Sequence, residues 1–378
     1  MEEKKRRVVK KIQFFAPYHQ CEAAVHASAM ASFVLRKLKD IRVYRFQYCT
    51  TDTLSDYCSP FVDPYIYRVV SPNDFAFHSD GTKAVYWFVN QWDFLRKSVG
   101  NCHRKNYLFG DFAKWDNEHI RRSRHYDSTL FPCDATTDRM KTLIGCFDNK
   151  TVYPGSYRAL SPMRCDLIDR SRMSVLLSMC GIQRPENRLS ILSNVELTLK
   201  SRNDIFITLL MDGRSFKDER QYIEKLGLEY SDRCVILNSF SDYEYMNILN
   251  QCDLFLDLNP INGVGYFLSA ALNRGLLVGG YNQPLYRDIL CEGEYGLLFN
   301  GTTKEYGFGF DHVIPHWDRL FKKFNERVFN VQNLIRWMNY RNGRPNFQTT
   351  LEARAKSFLG MFMYLTNAKI KSGSIVSV

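Results

Sequence analysis

The chain has 378 residues, a net charge of +11 and 45% hydrophobic residues. That is long enough for two domains with a core each, and no apolar run reaches the roughly 18 residues a membrane span needs. Its eleven cysteines form no Cys-x-x-Cys pair and no zinc-spaced cluster, so they read as free thiols of a reducing compartment and the protein as cytoplasmic. The sequons at Asn149 and Asn300 then carry no glycan.

The charge is uneven. Residues 1–160 hold 25 Lys/Arg against 17 Asp/Glu. This points to a polyanionic or membrane-surface partner for the first half, or simply to solubility. The N-terminal "MEEKKRRVVKK" has charge without an apolar segment behind it, so it is not a secretory signal.

In chain order, residues 10–18 read as a strand ending at Pro17, 22–40 as an Ala-rich helix and 41–48 as an alternating strand. Residues 73–81 read as a strand, 82–100 as a helix stopping at Gly100 and 106–112 as a strand with a turn. A strand over 127–133 leads into a helix over 134–145 with Asp134 as N-cap. "KTVYPGSY" (150–157) closes this half.

The alternation then restarts. Strands are expected at 174–181, 204–213, 234–240, 253–258 and 276–281, with helices at 188–202, 218–228, 242–252 and within Asn259–Gly275. The tail, 315–367, reads as long, amphipathic and helical. Alternating β and α predict an α/β protein of two Rossmann-like, doubly wound domains facing a cleft. The expected division is 1–160 for the first domain and 161–347 for the second, with 348–378 packing back on the first.

Three turns could carry chemistry. "NPINGVGYFLSAALNRG" (259–275) puts Asn262, Gly263, Val264 and Gly265 at a helix start, where backbone N–H groups hold phosphate without a charged side chain. An empty strand-to-helix turn is the alternative. "GIQRPENR" (181–188) offers Arg184 and Arg188 as forked phosphate ligands, or as a solvated basic loop. "FGDFAKW" offers Asp111 as a general base toward an acceptor hydroxyl, with His78 as its alternative. His19 and Glu22, after the first strand, are candidate acceptor contacts. Nothing in these turns has metal-ligand spacing.

Taken in order, these pieces resemble a GT-B glycosyltransferase, over about residues 10–300. The likeness is to the large retaining family with a Glu-x7-Glu signature. It rests on "FAPY" (15–18), "VYPG" (152–155), "GIQRPENR", "CDLFLDLNPINGVG" followed by a helix and "GLLVGG", and "NQPLYRDIL". The resemblance implies a metal-independent enzyme with a nucleotide-diphosphate sugar as co-substrate and no other cofactor.

The departures fall on the site. Asn262 and Ala270 stand where the two signature glutamates are expected, and Ile182 and Asn187 where the family has its phosphate-binding Arg and Lys. Glu22-Ala23-Ala24 replaces a glycine pair, and Gly110-Asp111 replaces a histidine. "LDLNPINGVG" is also similar to a turn of inverting O-GlcNAc transferases, so the stereochemistry stays open.

For the acceptor, the basic first half suits duplex DNA, as in phage enzymes that glycosylate hydroxymethylated bases, with Trp87, Trp92 and Trp115 able to stack or simply to fill the core. A glycan or glycolipid acceptor, and a catalytically inactive GT-B accessory protein, are the alternatives. No stable membrane insertion is expected.

Overall fold

The computed structural model describes residues 10–17, 22, 25–27, 29–30, 33, 38–39, 41–49, 67–70, 82–88, 105–109, 115, 117–124, 126–144, 148–155, 167, 171–182, 184–211, 217–238, 240, 242–306, 310–366 and 369–370. Two parallel sheets organise them.

The first sheet contains β1 (Lys10–Pro17), β3 (Ile41–Cys49), β4 (Tyr67–Val70), β5 (Thr82–Phe88), β6 (Lys105–Phe109), β7 (Ser128–Phe131) and β8 (Asp148–Thr151), in the order β4-β3-β1-β5-β6-β7-β8. Every pairing in it is parallel. Helix α1 (Asn117–Ser123) leads into β7, and α2 (Asp134–Ile144) links β7 to β8. The described residues between 22 and 33 are helical.

The second sheet contains β9 (Met173–Ser178), β10 (Ile205–Leu210), β11 (Cys234–Leu237), β12 (Leu254–Asp257), β13 (Leu277–Tyr281) and β14 (Leu297–Phe299), in the order β11-β10-β9-β12-β13-β14. Its pairings are also all parallel. Helices α3 (Pro185–Ser201), α4 (Lys217–Glu229), α5 (Asp242–Leu249), α6 (Tyr266–Asn273) and α7 (Pro284–Ile289) make the crossovers. Strands such as "SVLLS" are apolar without alternation because both faces of a doubly wound sheet are covered. Leu176 and Leu177, on opposite faces of β9, are both fully buried.

The chain then runs through a short hairpin, β15 (Thr302–Tyr306) with β16 (Phe310–Ile314), and three helices, α8 (Trp317–Asn325), α9 (Val331–Asn342) and α10 (Phe347–Thr366). Helix α10 reaches β5 of the first sheet. The last strand, β17 (Lys369–Ile370), pairs with β2 (Leu38–Lys39).

One apolar cluster belongs to the second sheet and α8–α9, around Val175, Leu192, Ile207, Phe321 and Leu334. The other joins the two units: Val25, Met30 and Phe33 meet Tyr266, Phe267, Leu268 and Leu351. Two buried arginines staple backbone carbonyls. Arg341 donates to Gly275 and Leu276, and Arg202 to Phe324 and Phe329. Leaving such buried carbonyls unpaired would cost about 1–3 kcal/mol each. Arg341→Met should therefore lower the unfolding midpoint by several degrees, which thermal denaturation checks.

Four expectations are corrected. Residues 82–88 form a strand, not the start of a helix, so Trp87 is a strand residue. "AVYWF" is a run of β-formers between two paired neighbours, β1 and β6, and periodicity cannot separate such a run from a buried helix. The helix expected to continue to residue 40 has already given way to a strand at Leu38–Lys39. The N-cap of the helix after β7 lies one position earlier than expected: the Cys133 carbonyl accepts the Thr137 N–H, so Cys133 holds the N-cap position and Asp134 the first turn. The tail is three helices, separated near Glu326–Asn330 and Gly343–Asn346, with Asn330 capping α9 by accepting the Asn333 N–H. The strand expected at 73–81 lies outside the described residues. Cys133, Cys180, Cys234, Cys252 and Cys291 are free thiols.

Candidate functional site

Strand β12 ends in Asp257, and the chain then makes a series of side-chain-to-backbone turns. Asp257 Oδ1 accepts the Asn259 N–H (3.0 Å), Asn259 Oδ1 accepts the Ile261 N–H (3.0 Å), and Asn262 Oδ1 accepts the N–H groups of Val264 (2.8 Å) and Gly265 (3.0 Å). Asp and Asn suit such turns because their short side chains reach the backbone two residues on. The Asn262 N–H in turn donates to Gln283 Oε1 (3.1 Å).

Gly265 is the N-cap of α6 at φ 66°, and a Cβ there would come within 2.9 Å of Ile289 Cδ1. The left-handed backbone there favours glycine, which has no side chain, so α6 is not capped by its own N-cap residue. Its cap comes from the other end of the chain. Glu22 Oε1 accepts the Phe267 N–H (3.0 Å), and Oε2 accepts from Asn262 Nδ2 (3.0 Å). The turn that holds no acid in sequence is therefore served by two: Glu22 from the first unit and Asp257 from the strand beneath.

Asn262 Nδ2 also donates to Asp257 Oδ2 (3.1 Å), which accepts from the Tyr286 hydroxyl as well. Burial pushes the Asp257 carboxyl up to about 6, against the hydrogen bonds from Tyr286, Asn259 and Asn262 that favour its charged form. One helical turn past Glu22, His26 stacks on Tyr266 with ring centroids 4.9 Å apart, and burial lowers its pKa to about 3.

The second turn follows β9. Gly181 sits at φ 85°, and a Cβ on it would come within 2.6 Å of Asn259 Nδ2. The turns after β9 and β12 therefore touch. Those neighbouring strands lead outward in opposite directions along the sheet, which makes this the topological switch point, where α/β sheets bind ligands. The first sheet has its own switch point between β1 and β5, and Glu22, which follows β1, reaches across from there. Arg184 is the N-cap of α3 and is exposed; Pro185 follows it, and no side chain caps the helix. Beneath the turns, Ser178 Oγ and Gln283 Nε2 are buried with no hydrogen-bond partner.

The structure separates the sequence candidates. Glu22, Asn262, Gly263, Val264 and Gly265 come together, and Arg184 lies at the adjoining turn. Arg188 does not face the cleft. It is 1% exposed, and its Nε donates to Glu219 Oε1 of α4 at 2.6 Å. An arginine in the first turn of α3, rather than ahead of it, is directed under the helix and needs a buried counter-charge. The Val264 and Gly265 N–H groups, expected to hold phosphate, are engaged by Asn262.

His19, His78, Asp111 and Trp92 lie outside the described residues. Trp115 is buried and stacks on His119. Sequence reasoning passed over Asp257, Tyr286, Gln283 and His26. The signal for Asp257 was an acid closing an otherwise apolar strand, "LFLD". Among the described residues, no group of three His, Cys, Asp or Glu side chains converges as metal ligands would, and no helix is long and apolar enough to cross a membrane.

No protein-family model and no curated protein sequence matches the chain. Solved structures do share its fold. HepE of Anabaena, in complex with UDP and glucose, aligns over 94% of this chain and 100% of its own, with TM-score 0.58 and 11% identity. Sucrose-phosphate synthase from Thermosynechococcus elongatus aligns over 94% and 99%, with TM-score 0.53 and 13% identity. A Listeria monocytogenes protein described as a UDP-N-acetylglucosamine 2-epimerase aligns over 93% and 97%, with TM-score 0.53 and 11% identity. Identities this low speak for architecture alone. With its two tandem Rossmann-like units and a C-terminal helix returning to the first, the chain has the GT-B fold.

Proposed function

We propose that the protein transfers a glycosyl group from a nucleotide-diphosphate sugar to an acceptor hydroxyl, with the donor bound against the second unit. The observation that carries this is the meeting of the turns after β9 and β12 at the switch point, with the exposed Arg184 at the uncapped start of α3. A helix N-terminus and a forked guanidinium together favour an oxyanion. In the transfer, the acceptor oxygen bonds to the anomeric carbon as that carbon's bond to the diphosphate oxygen breaks. The charge on the departing diphosphate would meet Arg184 and the N–H groups of α3, so the reading needs no metal. Asp111, with His78 as the alternative, is the proposed base toward the acceptor.

Arg184→Ala should weaken UDP binding by about 1.5–3 kcal/mol, the range for a hydrogen bond to a charged group. It should leave unfolding unchanged within about 0.5 kcal/mol, since the side chain is on the surface. Titration calorimetry and chemical denaturation read the two effects. Equal UDP affinity in both proteins would remove Arg184 from the site. Gly265→Asp is a poorer probe of this site, because its left-handed backbone strains any side chain there.

The acceptor proposed is duplex DNA carrying hydroxymethylated bases. Its support is the basic excess of residues 1–160. A gel shift of such DNA that weakens steeply with salt is the expected result; no shift at low salt would overturn it.

A second reading, a GT-B accessory protein without catalysis, is favoured by the Glu22–Phe267 contact and by Asn262 and Ala270 standing in for acids. Slow release of nucleoside diphosphate from a sugar nucleotide without acceptor decides for the enzyme.

A further inference from the structure

We infer that Glu22 is a built-in competitor for the donor's diphosphate: its carboxylate caps α6 across the cleft and has to withdraw before a diphosphate can reach the switch point. This rests on the reading of that site as a nucleotide-sugar site.

Three observations carry it. First, the contact is between units, and both carboxylate oxygens are used, one on the Phe267 N–H and one on Asn262 Nδ2. Because Gly265 has no side chain, the vacated N–H has no replacement within the N-cap residue and would be open to another anion.

Second, Glu22 and Asp257 share one amide nitrogen, Asn262 Nδ2. An incoming diphosphate would meet two carboxyls at once, so one must leave. Asp257 is 1% exposed and held by Asn259, Asn262 and Tyr286. Glu22 is half-buried and belongs to the opposite unit, so Glu22 is the group that moves.

Third, a donor waits at the same turn. Gln283 is 4% exposed, its oxygen is tied to the Asn262 N–H, and its Nε2 has no partner. An amide N–H in that position is complementary to an oxygen-rich ligand.

A second contact between the units can persist when the first is released. Asp288 Oδ2 accepts the Ala135 N–H at the start of α2 (3.2 Å), the Tyr153 hydroxyl bridges Asp134 and Asp288, and the Arg354 guanidinium lies 4.0 Å from the centre of the Tyr153 ring. Withdrawal of Glu22 thus frees the cleft without separating the units.

The test titrates UDP and inorganic pyrophosphate into wild type, E22Q and E22A, and follows hydrogen exchange at the Phe267 amide. UDP should bind E22Q at least about tenfold more tightly than wild type, roughly 1.4 kcal/mol. E22A should expose the Phe267 amide to exchange, and added UDP should protect it again. If E22A is too unstable to study, E22Q keeps one acceptor for the Phe267 cap while removing the charge and the acceptor that faces Asn262 Nδ2. UDP binding to wild type with unchanged or weaker binding to E22Q would overturn the role of Glu22 while leaving the nucleotide site standing. Absence of binding to every variant by UDP, ADP, GDP and dTDP would overturn the nucleotide reading and this inference together.

Discussion

Glu219→Ala should destabilise the second unit by about 3–5 kcal/mol, the cost of leaving one member of a buried ion pair without its counter-charge. Arg188 and Glu219 are 1% and 0% exposed, and their N–O distance is 2.6 Å. Arg188 Nη1 also reaches the Ile182 carbonyl at 3.3 Å. Loss of Glu219 removes a buried carboxylate from the Arg188 guanidinium between α3 and α4. The double variant Arg188→Met/Glu219→Leu should recover most of the loss, because packed hydrophobic side chains avoid the desolvation cost altogether. Chemical denaturation of the two proteins checks both statements. A single variant within about 0.5 kcal/mol of wild type would mean the pair is not buried as described. Because Ile182 belongs to the turn that precedes Arg184, Glu219→Ala should also weaken UDP binding.

The second large effect is on the pH dependence of stability, where two buried groups at the unit junction work in opposite directions. His26 is neutral when folded, its pKa lowered from 6.5 to about 3 by burial. The unfolded chain therefore takes up the proton first, and stability is lost as pH falls from about 6.5 toward 3. The shift corresponds to about 5 kcal/mol when complete.

Asp257 has the opposite sign. Its folded pKa, about 6, lies above the ordinary 3.8. The folded state binds the proton more tightly, and stability is gained as pH falls from about 6 toward 4, by about 3 kcal/mol at most. In wild type the two offset each other between about pH 4 and 6. His26→Phe retains a ring against Tyr266 and removes the acid-sensitive term, so relative to wild type it should gain stability progressively as pH falls below 6.5. Asp257→Asn should lose relative stability over pH 6 to 4. Denaturation midpoints at half-unit pH steps test this. Parallel profiles for all three proteins would contradict the burial of both groups.

Much of the second unit was legible in the sequence because its local signals agree. Unbroken apolar strands such as "SVLLS" and "LFLD" are followed by glycine turns and amphipathic helices, and the strand order follows from the βα alternation. The first unit was less legible. Its strand at Thr82–Phe88 is central and lacks the polar alternation that separates a strand from a helix. The β15–β16 hairpin escaped because "TTKEY" is polar and pairs only locally.

At the site, the turn over Asn259–Gly265 was visible from its Asn and Gly residues. What completes it was not. Glu22 lies 245 positions before Phe267, and no local pattern announces that a carboxylate will arrive there through folding. Arg188 was misplaced for a related reason. Its distance from Arg184 suggested a shared face, but Arg184 precedes the helix while Arg188 lies inside its first turn, and Glu219 on the next helix decides where it points.

The most direct measurement of the central claim is calorimetric titration of UDP, with ADP, GDP and dTDP alongside, into the full chain and its Arg184→Ala variant. Saturable binding of at least one nucleoside diphosphate, weakened about tenfold or more in the variant at unchanged stability, is the predicted result. No binding by any of the four, or binding indifferent to Arg184, would contradict a nucleotide-sugar site at the meeting of the two turns.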